Sequence, residues 1–183
     1  HPEGDVWTHT MMVLDRAAQL RPSASDPYAF MLLALTHDFG KITTTEFVNG
    51  AIHAYGHEIQ GAEIAERFLN RVCHGSGVKK YIANMIPNHM RPNKIAEARS
   101  SVKKTNRMFD DAIAPNDLIY FAICDKPKLP HLDVRNLSQA PNEPHELLDD
   151  TSRESELYTA DEKLMEQERI KFLFDRLDLY RDM

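Results

Sequence analysis

Apolar and polar positions recur along most of this chain with the period of a helix rather than that of a strand. Over residues 5–20, Trp7, Met11, Leu14 and Ala18 fall at helical spacing, and Arg21-Pro22 closes the run. Ser25-Asp26-Pro27 offers an N-cap with proline at the first helical position. Residues 28–38 are apolar nearly all round, which predicts a central helix ending at Gly40. Residues 41–56 carry Thr43-Thr44-Thr45, Asn49-Gly50 and Tyr55-Gly56 and read as a loop, with Glu46-Phe47-Val48 and Ala51-Ile52 pairing briefly across the Asn-Gly turn. A helix is predicted over 57–73, broken by Gly75-Ser76-Gly77. Val78, Ile82, Met85 and Ile86 mark the next, kinked at Pro87 and stopped by Arg91-Pro92. Two more are predicted at 101–113 and, capped by Asn116 or Asp117, at 118–126. Pro127, Pro130, Pro141 and Pro144 make 127–145 an irregular segment. The tail over 159–180 reads as a charged amphipathic helix with Leu164, Ile170, Leu173, Phe174 and Leu177 as its buried stripe.

Composition narrows the class. With 22 Lys and Arg against 28 Asp and Glu, the net charge of −6 excludes a general nucleic-acid coat or a membrane-surface protein, so any polyanion must meet a local patch. The hydrophobic share of 42% and charged share of 27% are those of an ordinary globular domain, and one domain is expected. Residues 28–35 form the longest apolar stretch, far below the ~18 residues of a membrane span, and no signal-peptide pattern opens the chain. Cys73 and Cys124 are too few and too far apart for a disulfide framework or a CxxC clamp, which predicts buried, reduced thiols in a cytoplasmic protein. A first residue His1 rather than Met is expected of a piece of something longer.

The unusual count is nine histidines. His9 shares its helix stripe with Val6, Val13 and Ala17. The pair His37-Asp38 ends the most hydrophobic helix, where an Asp is almost never buried without a partner charge or metal. His57 lies on a face with Gly61, Ile64 and Phe68, the glycine removing a side chain that would crowd the ring. His89 continues Val78, Ile82, Met85 and Ile86, and Asp125 continues Leu118, Phe121 and Ala122. Each buried imidazole or carboxylate needs hydrogen-bond partners of its own, and a shared divalent metal satisfies them together. Neutral imidazole and carboxylate suit Fe, Mn, Ni, Co or Zn, and a bridging Asp38 can hold two ions ~3.5–4 Å apart. His1, His53, His74, His131 and His145 sit near predicted ends or in loops and are expected to be solvated.

His9, then His37-Asp38 followed by Gly40-Lys41, then a distant Asp125, resembles the His…His-Asp…Asp signature of the HD-domain metal-dependent phosphohydrolases, an all-α fold. The opening His1-Pro2-Glu3-Gly4-Asp5-Val6-Trp7-Thr8-His9-Thr10 is similar to the HD domain of bacterial tRNA nucleotidyltransferases, the CCA-adding enzymes. So are His37-Asp38-Phe39-Gly40-Lys41, Tyr55-Gly56-His57-Glu58 with Gly61, and Asn88-His89-Met90-Arg91-Pro92. The resemblance implies an HD helical bundle over residues 1–126 with a metal site between its central helices. It leaves a Pro-rich segment at 127–150 and a C-terminal helix within 151–183 that packs on the domain or a partner.

It further implies that His9, His37, Asp38 and Asp125 bind one metal, that His57 and His89 hold a second, and that Asp38 bridges. Lys41 matches the HDxGK lysine, whose ammonium could hold a substrate phosphate, and Arg91 could add a bidentate grip. The activity implied is hydrolysis of nucleotide or RNA-end phosphoesters, 2′,3′-cyclic phosphates included, with Asp38 and Lys41 as catalytic residues. Arg99, Lys103, Lys104 and Arg107 form a short basic run that could guide a polyanion or simply be a solvated face. The chain departs from its relatives twice. It lacks the glycine-serine motif and paired carboxylates of the N-terminal nucleotidyl-transfer domain, which would have to lie outside it. It also has Lys126-Pro127-Lys128 where an arginine-rich turn is usual, so these lysines could replace phosphate contacts. Two alternatives stay open: a di-iron oxygenase built on the same six ligands, and a non-catalytic module that binds RNA or a partner.

Overall fold

A computed structural model describes residues 5–126 and 159–183. The irregular segment expected at 127–150, the opening tetrapeptide, His131, His145 and Lys128 lie outside these residues. Helix α1 (Val6–Leu20) starts at the N-cap Asp5, whose carboxylate accepts the Thr8 N–H at 2.7 Å. A short 3-10 turn (Arg21–Ser23) leads to α2 (Pro27–Thr36), capped by Asp26. After α3 (Lys41–Thr44) come β1 (Glu46–Val48) and β2 (Ala51–His53), antiparallel with Phe47 opposite Ile52. Asn49 and Gly50 both have positive φ, the conformation a two-residue hairpin demands and the Asn-Gly pair announces. The chain then forms α4 (His57–Val72), α5 (Ser76–Asn88), α6 (Arg91–Glu97), α7 (Val102–Asp111), α8 (Pro115–Cys124) and α9 (Ala160–Arg181). The fold is all-α, the hairpin being the sole sheet among the described residues.

Helix α1 packs on α2 and α8, α2 also on α5, and α4 lies along α5. Phe30, Leu33, Ile82, Met85, Ile86 and Phe121 form the centre of the core, all but fully buried. Helix α9 crosses α6, α7 and α8, burying Ile170, Leu173, Phe174 and Leu177, each worth about 2 kcal/mol of apolar burial. Arg169, also buried, binds Glu166 on its own helix and Asn93 of α6, so no bare charge is left there. Asp117 of α8 is buried and ties three regions together. It accepts the Ser25 N–H at 3.0 Å, the Ser25 hydroxyl at 2.7 Å and the Tyr81 hydroxyl at 2.9 Å.

Several elements depart from the pattern-based reading. Of Trp7, Met11, Leu14 and Ala18, Trp7 and Met11 are exposed, Trp7 to 67%, and Leu14 is half-buried against the core; the buried face carries His9, Thr10, Val13, Arg16, Ala17 and Leu20, and so includes the predicted stripe of His9, Val13 and Ala17. Arg91-Pro92 opens α6 instead of stopping a helix, because proline is tolerated in a first turn where its missing N–H would be unpaired anyway. Helix α8 begins at Pro115, so neither Asn116 nor Asp117 is its N-cap. Leu164 is exposed, one turn before the docked part of α9. Both cysteines are free and buried.

Candidate metal centre

The central helix stops at Thr36, so His37 and Asp38 stand in the turn that follows it, closed by Phe39 N–H to Thr36 O and Lys41 N–H to Asp38 O. His89 and Asp125 are likewise the residues that end α5 and α8, and His57 is the first residue of α4. Only His9 projects from the middle of a helix; the helix-end position of His37-Asp38 and the helix-start position of His57 are those the sequence predicts. Three helix C-termini therefore converge, and their partial negative charge favours a cation between them.

These six residues meet. The ligand atoms of His9, His37 and Asp125 lie within 4.8 Å of one another, and so do those of Asp38, His57 and His89. Asp38 divides its oxygens between the two sets: Oδ2 is 3.3 Å from His37 Nε2 and 3.8 Å from His9 Nε2, whereas Oδ1 is 3.4 Å from His57 Nε2. Asp125 Oδ1 is 3.1 Å from His9 Nε2 and 3.4 Å from His37 Nε2. A glycine contact holds the halves together. A Cβ on Gly40 would fall 1.9 Å from the His57 carbonyl oxygen and 2.7 Å from the Gly61 N, so the turn bearing Asp38 rests directly on the backbone of α4. Gly61 thus serves this backbone approach rather than space for a ring.

Three of the rings are held from behind. His37, His57 and His89 donate Nδ1–H to the carbonyls of Ala34 (3.0 Å), Ala54 (2.8 Å) and Ile86 (2.6 Å). In the neutral ring each bond leaves the lone pair on Nε2, aimed at the centre. The Nε2 atoms of His57 and His89 are buried without a hydrogen-bond partner, and His37 Nε2 reaches the two carboxylates without an aligned hydrogen bond. Burial lowers the His89 pKa to about 4, so this ring is neutral at pH 7. Burial also acts to lower that of His37, but Asp125 and Asp38 outweigh it and raise it to about 10. Burial works to raise both carboxylates, yet His37 with Lys41 for Asp38, and His37 with His9 for Asp125, hold them below the usual range. Phe121 packs against His37 and His89 and forms an apolar wall.

This donor set fits a divalent transition metal: the Nε2 atoms of His57 and His89 have no hydrogen-bond partner, two carboxylates are ionised, and backbone carbonyls set three of the rings. No thiol joins it. Burial pushes the neighbouring Cys124 thiol above its usual range, which keeps it protonated. Lys41 reaches the centre by donating to Asp38 Oδ2 at 2.6 Å, a contact across one turn that the sequence reading had assigned to substrate. Arg91 Nη1 instead binds Asn88 Oδ1 at 2.6 Å and Asp111 Oδ2 at 2.9 Å. Lys126 pairs with Glu97, and the run from Arg99 to Arg107 is an exposed face in which Arg99 binds Glu168. His53 is half-buried and stacked on Tyr55, and His74 is exposed.

A family model described as the HD domain matches residues 6–179, nearly the whole chain and α9 with it. The chain belongs to the HD domain family. HD domains form a superfamily of metal-dependent phosphohydrolases and bind divalent metals, in keeping with the donor set just described. Among curated relatives, the Multifunctional CCA protein of Actinobacillus pleuropneumoniae serotype 5b is 35% identical over 99 residues, 54% of this chain and 24% of that protein. The Multifunctional CCA protein of Pasteurella multocida is 32% identical over 111 residues, 59% of this chain and 26% of that protein. That of Teredinibacter turnerae is 26% identical over 125 residues, 68% of this chain and 29% of that protein. The HD domain described here thus spans about a quarter of the length of the curated relatives it matches. No solved structure matches it significantly. Among the described residues no helix is long and apolar enough to cross a membrane.

Proposed function

We propose that this HD domain hydrolyses phosphoester bonds of nucleotides or RNA ends, with one or two divalent metal ions held by His9, His37, Asp38, His57, His89 and Asp125. The observation that carries the reading is Asp38, with one oxygen turned to each of two donor sets. The bound metal would supply Lewis acidity, lowering the pKa of water and drawing charge from phosphoryl oxygens. The residues supply the rest. His37, His57 and His89 present preset Nε2 donors, and Asp38 and Asp125 orient the attacking water and take its proton. Asp125, with its side chain 12% exposed against 3% for Asp38, is the more open to solvent. Lys41 carries charge to the non-bridging oxygens of the substrate, with Arg91 as a second cation. The matched relatives are named as CCA proteins, and this supports an RNA-end or nucleotide substrate and a place beside a nucleotidyltransferase domain outside this chain.

The test is elemental analysis of the purified protein, then a screen of phosphomonoesters, phosphodiesters and 2′,3′-cyclic nucleotides with added Mn²⁺, Ni²⁺, Co²⁺, Zn²⁺ or Fe²⁺. Turnover that Asp38→Asn lowers by at least about 100-fold is expected, since loss of a supporting residue alone costs about 10–100-fold. A metal-loaded protein that turns over no phosphoester, or an Asp38→Asn variant as active as the parent, would refute the reading. Iron content with an O₂-dependent spectrum would redirect it to oxidation.

A further inference from the structure

From Ala98 to Phe109 the chain has Arg99, Lys103, Lys104 and Arg107 and no Asp or Glu, although acids outnumber bases 28 to 22 over the whole. Lys103, Lys104 and Arg107 stand exposed on α7. Acids on the helices packed against α7 have partners of their own: Glu97 has Lys126, Glu168 has Arg99, Asp175 has Lys171 and Asp178 has Arg181. At the far end of α7 itself, Asp110 accepts the Tyr180 hydroxyl and Asp111 pairs with Arg91. Among the described residues, no carboxylate lies within ion-pair distance of Lys103, Lys104 or Arg107.

The placement of these cations works against the helix. Lys103 and Lys104 stand in the first turn of α7, where the positive end of the helix dipole repels a cation and no acid offsets it. Arg107 follows Lys103 by four residues and Lys104 by three, so like charges face each other along one side. A helix face built only for water interleaves both signs and gains from pairing at these spacings. A row of one sign gains nothing from the fold and is relieved by an anion that runs along it. Helix α7 also leads to the metal centre. Arg107 lies one turn before Asp111, which accepts from Arg91 Nη1 at 2.9 Å, and Arg91 also binds Asn88, the neighbour of His89. From Lys103 to Asp111 the helix rises about 12 Å.

We propose that the face of α7 bearing Lys103, Lys104 and Arg107 binds the phosphodiester backbone of an RNA strand whose end lies at the metal centre. Regularly spaced phosphates match a row of cations of one sign, and a strand of a few nucleotides covers the distance from the row to Arg91. An anionic membrane would meet the −6 charge of the whole chain as well as the row, and is disfavoured. The link to the centre rests on the phosphohydrolase reading; the binding face does not. Together they make the substrate a strand end rather than a free nucleotide, with affinity drawn from α7 and chemistry from the centre.

The experiment follows fluorescence anisotropy of a labelled oligoribonucleotide with a 3′-phosphate over a range of salt, its length about ten nucleotides, within the usual span of a strand-binding groove. The triple variant Lys103→Gln, Lys104→Gln, Arg107→Gln should weaken binding by about tenfold or more and flatten the slope of log K against log salt by about 2, three lost contacts at about 0.7 each. The charge-keeping set Lys103→Arg, Lys104→Arg, Arg107→Lys should bind as the parent does. All three side chains are exposed, and the neutral variant should melt no lower than the parent. In hydrolysis of the same 3′-phosphate, the neutral variant should raise KM by about tenfold with kcat unchanged, and it should leave both constants for a 3′-mononucleotide unaltered. A parent that binds no RNA, equal affinity and salt slope in parent and neutral variant, or polyglutamate or phosphatidylserine vesicles competing as well as RNA would overturn the proposal. Loss of RNA affinity in the neutral variant of a protein that hydrolyses no phosphoester would support the binding face and overturn the catalytic reading alone.

Discussion

Replacing Gly40 with alanine tests whether the contact between the Asp38 turn and α4 positions the site. The new methyl carbon would lie 1.9 Å from the His57 carbonyl oxygen and 2.7 Å from the Gly61 N. Carbon and carbonyl oxygen tolerate no less than about 3.3 Å, so α4 and the turn must part by about 1.4 Å. Neither neighbour is a flexible side chain tip. Overpacking of this kind costs about 3 kcal/mol, which in a domain of this size lowers Tm by about 6–12 °C. The displacement falls on the residue that carries His57, whose Nε2 is 3.4 Å from Asp38 Oδ1, whereas metal ligand distances tolerate only about 0.2 Å. Metal bound through Asp38, His57 and His89 should therefore be lost even where the variant remains folded. Gly61→Ala is the control. Its Cβ would meet the Gly40 N at 3.2 Å and the Ile86 side chain at 3.4 Å, a mild crowding that the gain of about 1 kcal/mol in helix propensity nearly offsets. Calorimetric melting and metal counting on the three proteins decide the matter. A Gly40→Ala protein with the parent's Tm and metal content would refute the reasoning.

Two further outcomes are expected. The His37 pKa of about 10 means that metal displaces a proton at neutral pH, so affinity should rise with pH and the binding heat should depend on the ionisation heat of the buffer; equal heats in two such buffers would contradict this. In the metal-free chain the same shift, upward from 6.5, adds stability that is complete below about pH 6.5 and is lost as pH rises through about 10, a fall in urea midpoint that His37→Gln should abolish. Asp117→Ala strands the donors of Ser25 and Tyr81 in the interior and should cost about 3 kcal/mol by urea unfolding, against less for Asp117→Asn, which retains an acceptor oxygen; an Asp117→Ala protein within about 0.5 kcal/mol of the parent would show that water replaces the carboxylate.

The chemistry of the six donors was legible because a buried Asp or His is costly in any fold, so residue type and apolar surroundings already demanded a shared partner. Their mounting was legible only in part, at His37-Asp38 and His57. His89 and Asp125 fall just where helices end, and a periodic pattern runs smoothly through such a position. The inner face of helix α1 was legible from His9, Val13 and Ala17, whereas the apolar spacing of Trp7 and Met11 marks a helix without marking its buried side, since both lie outside. Arg91-Pro92 is ambiguous by nature, as proline both ends and begins helices. Pairings between distant segments left no local mark at all. Nothing in the neighbourhood of Asp117 points to Ser25 or Tyr81, and nothing near Gly40 points to Gly61, because such contacts are set by how helices cross.

The carbonyl tethers behind His37, His57 and His89 bear on how quickly the centre exchanges its ions. A ring fixed through Nδ1 to the carbonyl three residues back cannot swing out and pass its metal to water while that backbone stays in place. Two of the tethers end on the last turns of α2 and α5. Departure of an ion is then timed by fraying of those turns, an opening far less frequent than a side-chain flip. The residence time of the metal becomes a property of helix ends, to be read from amide hydrogen exchange as much as from coordination chemistry.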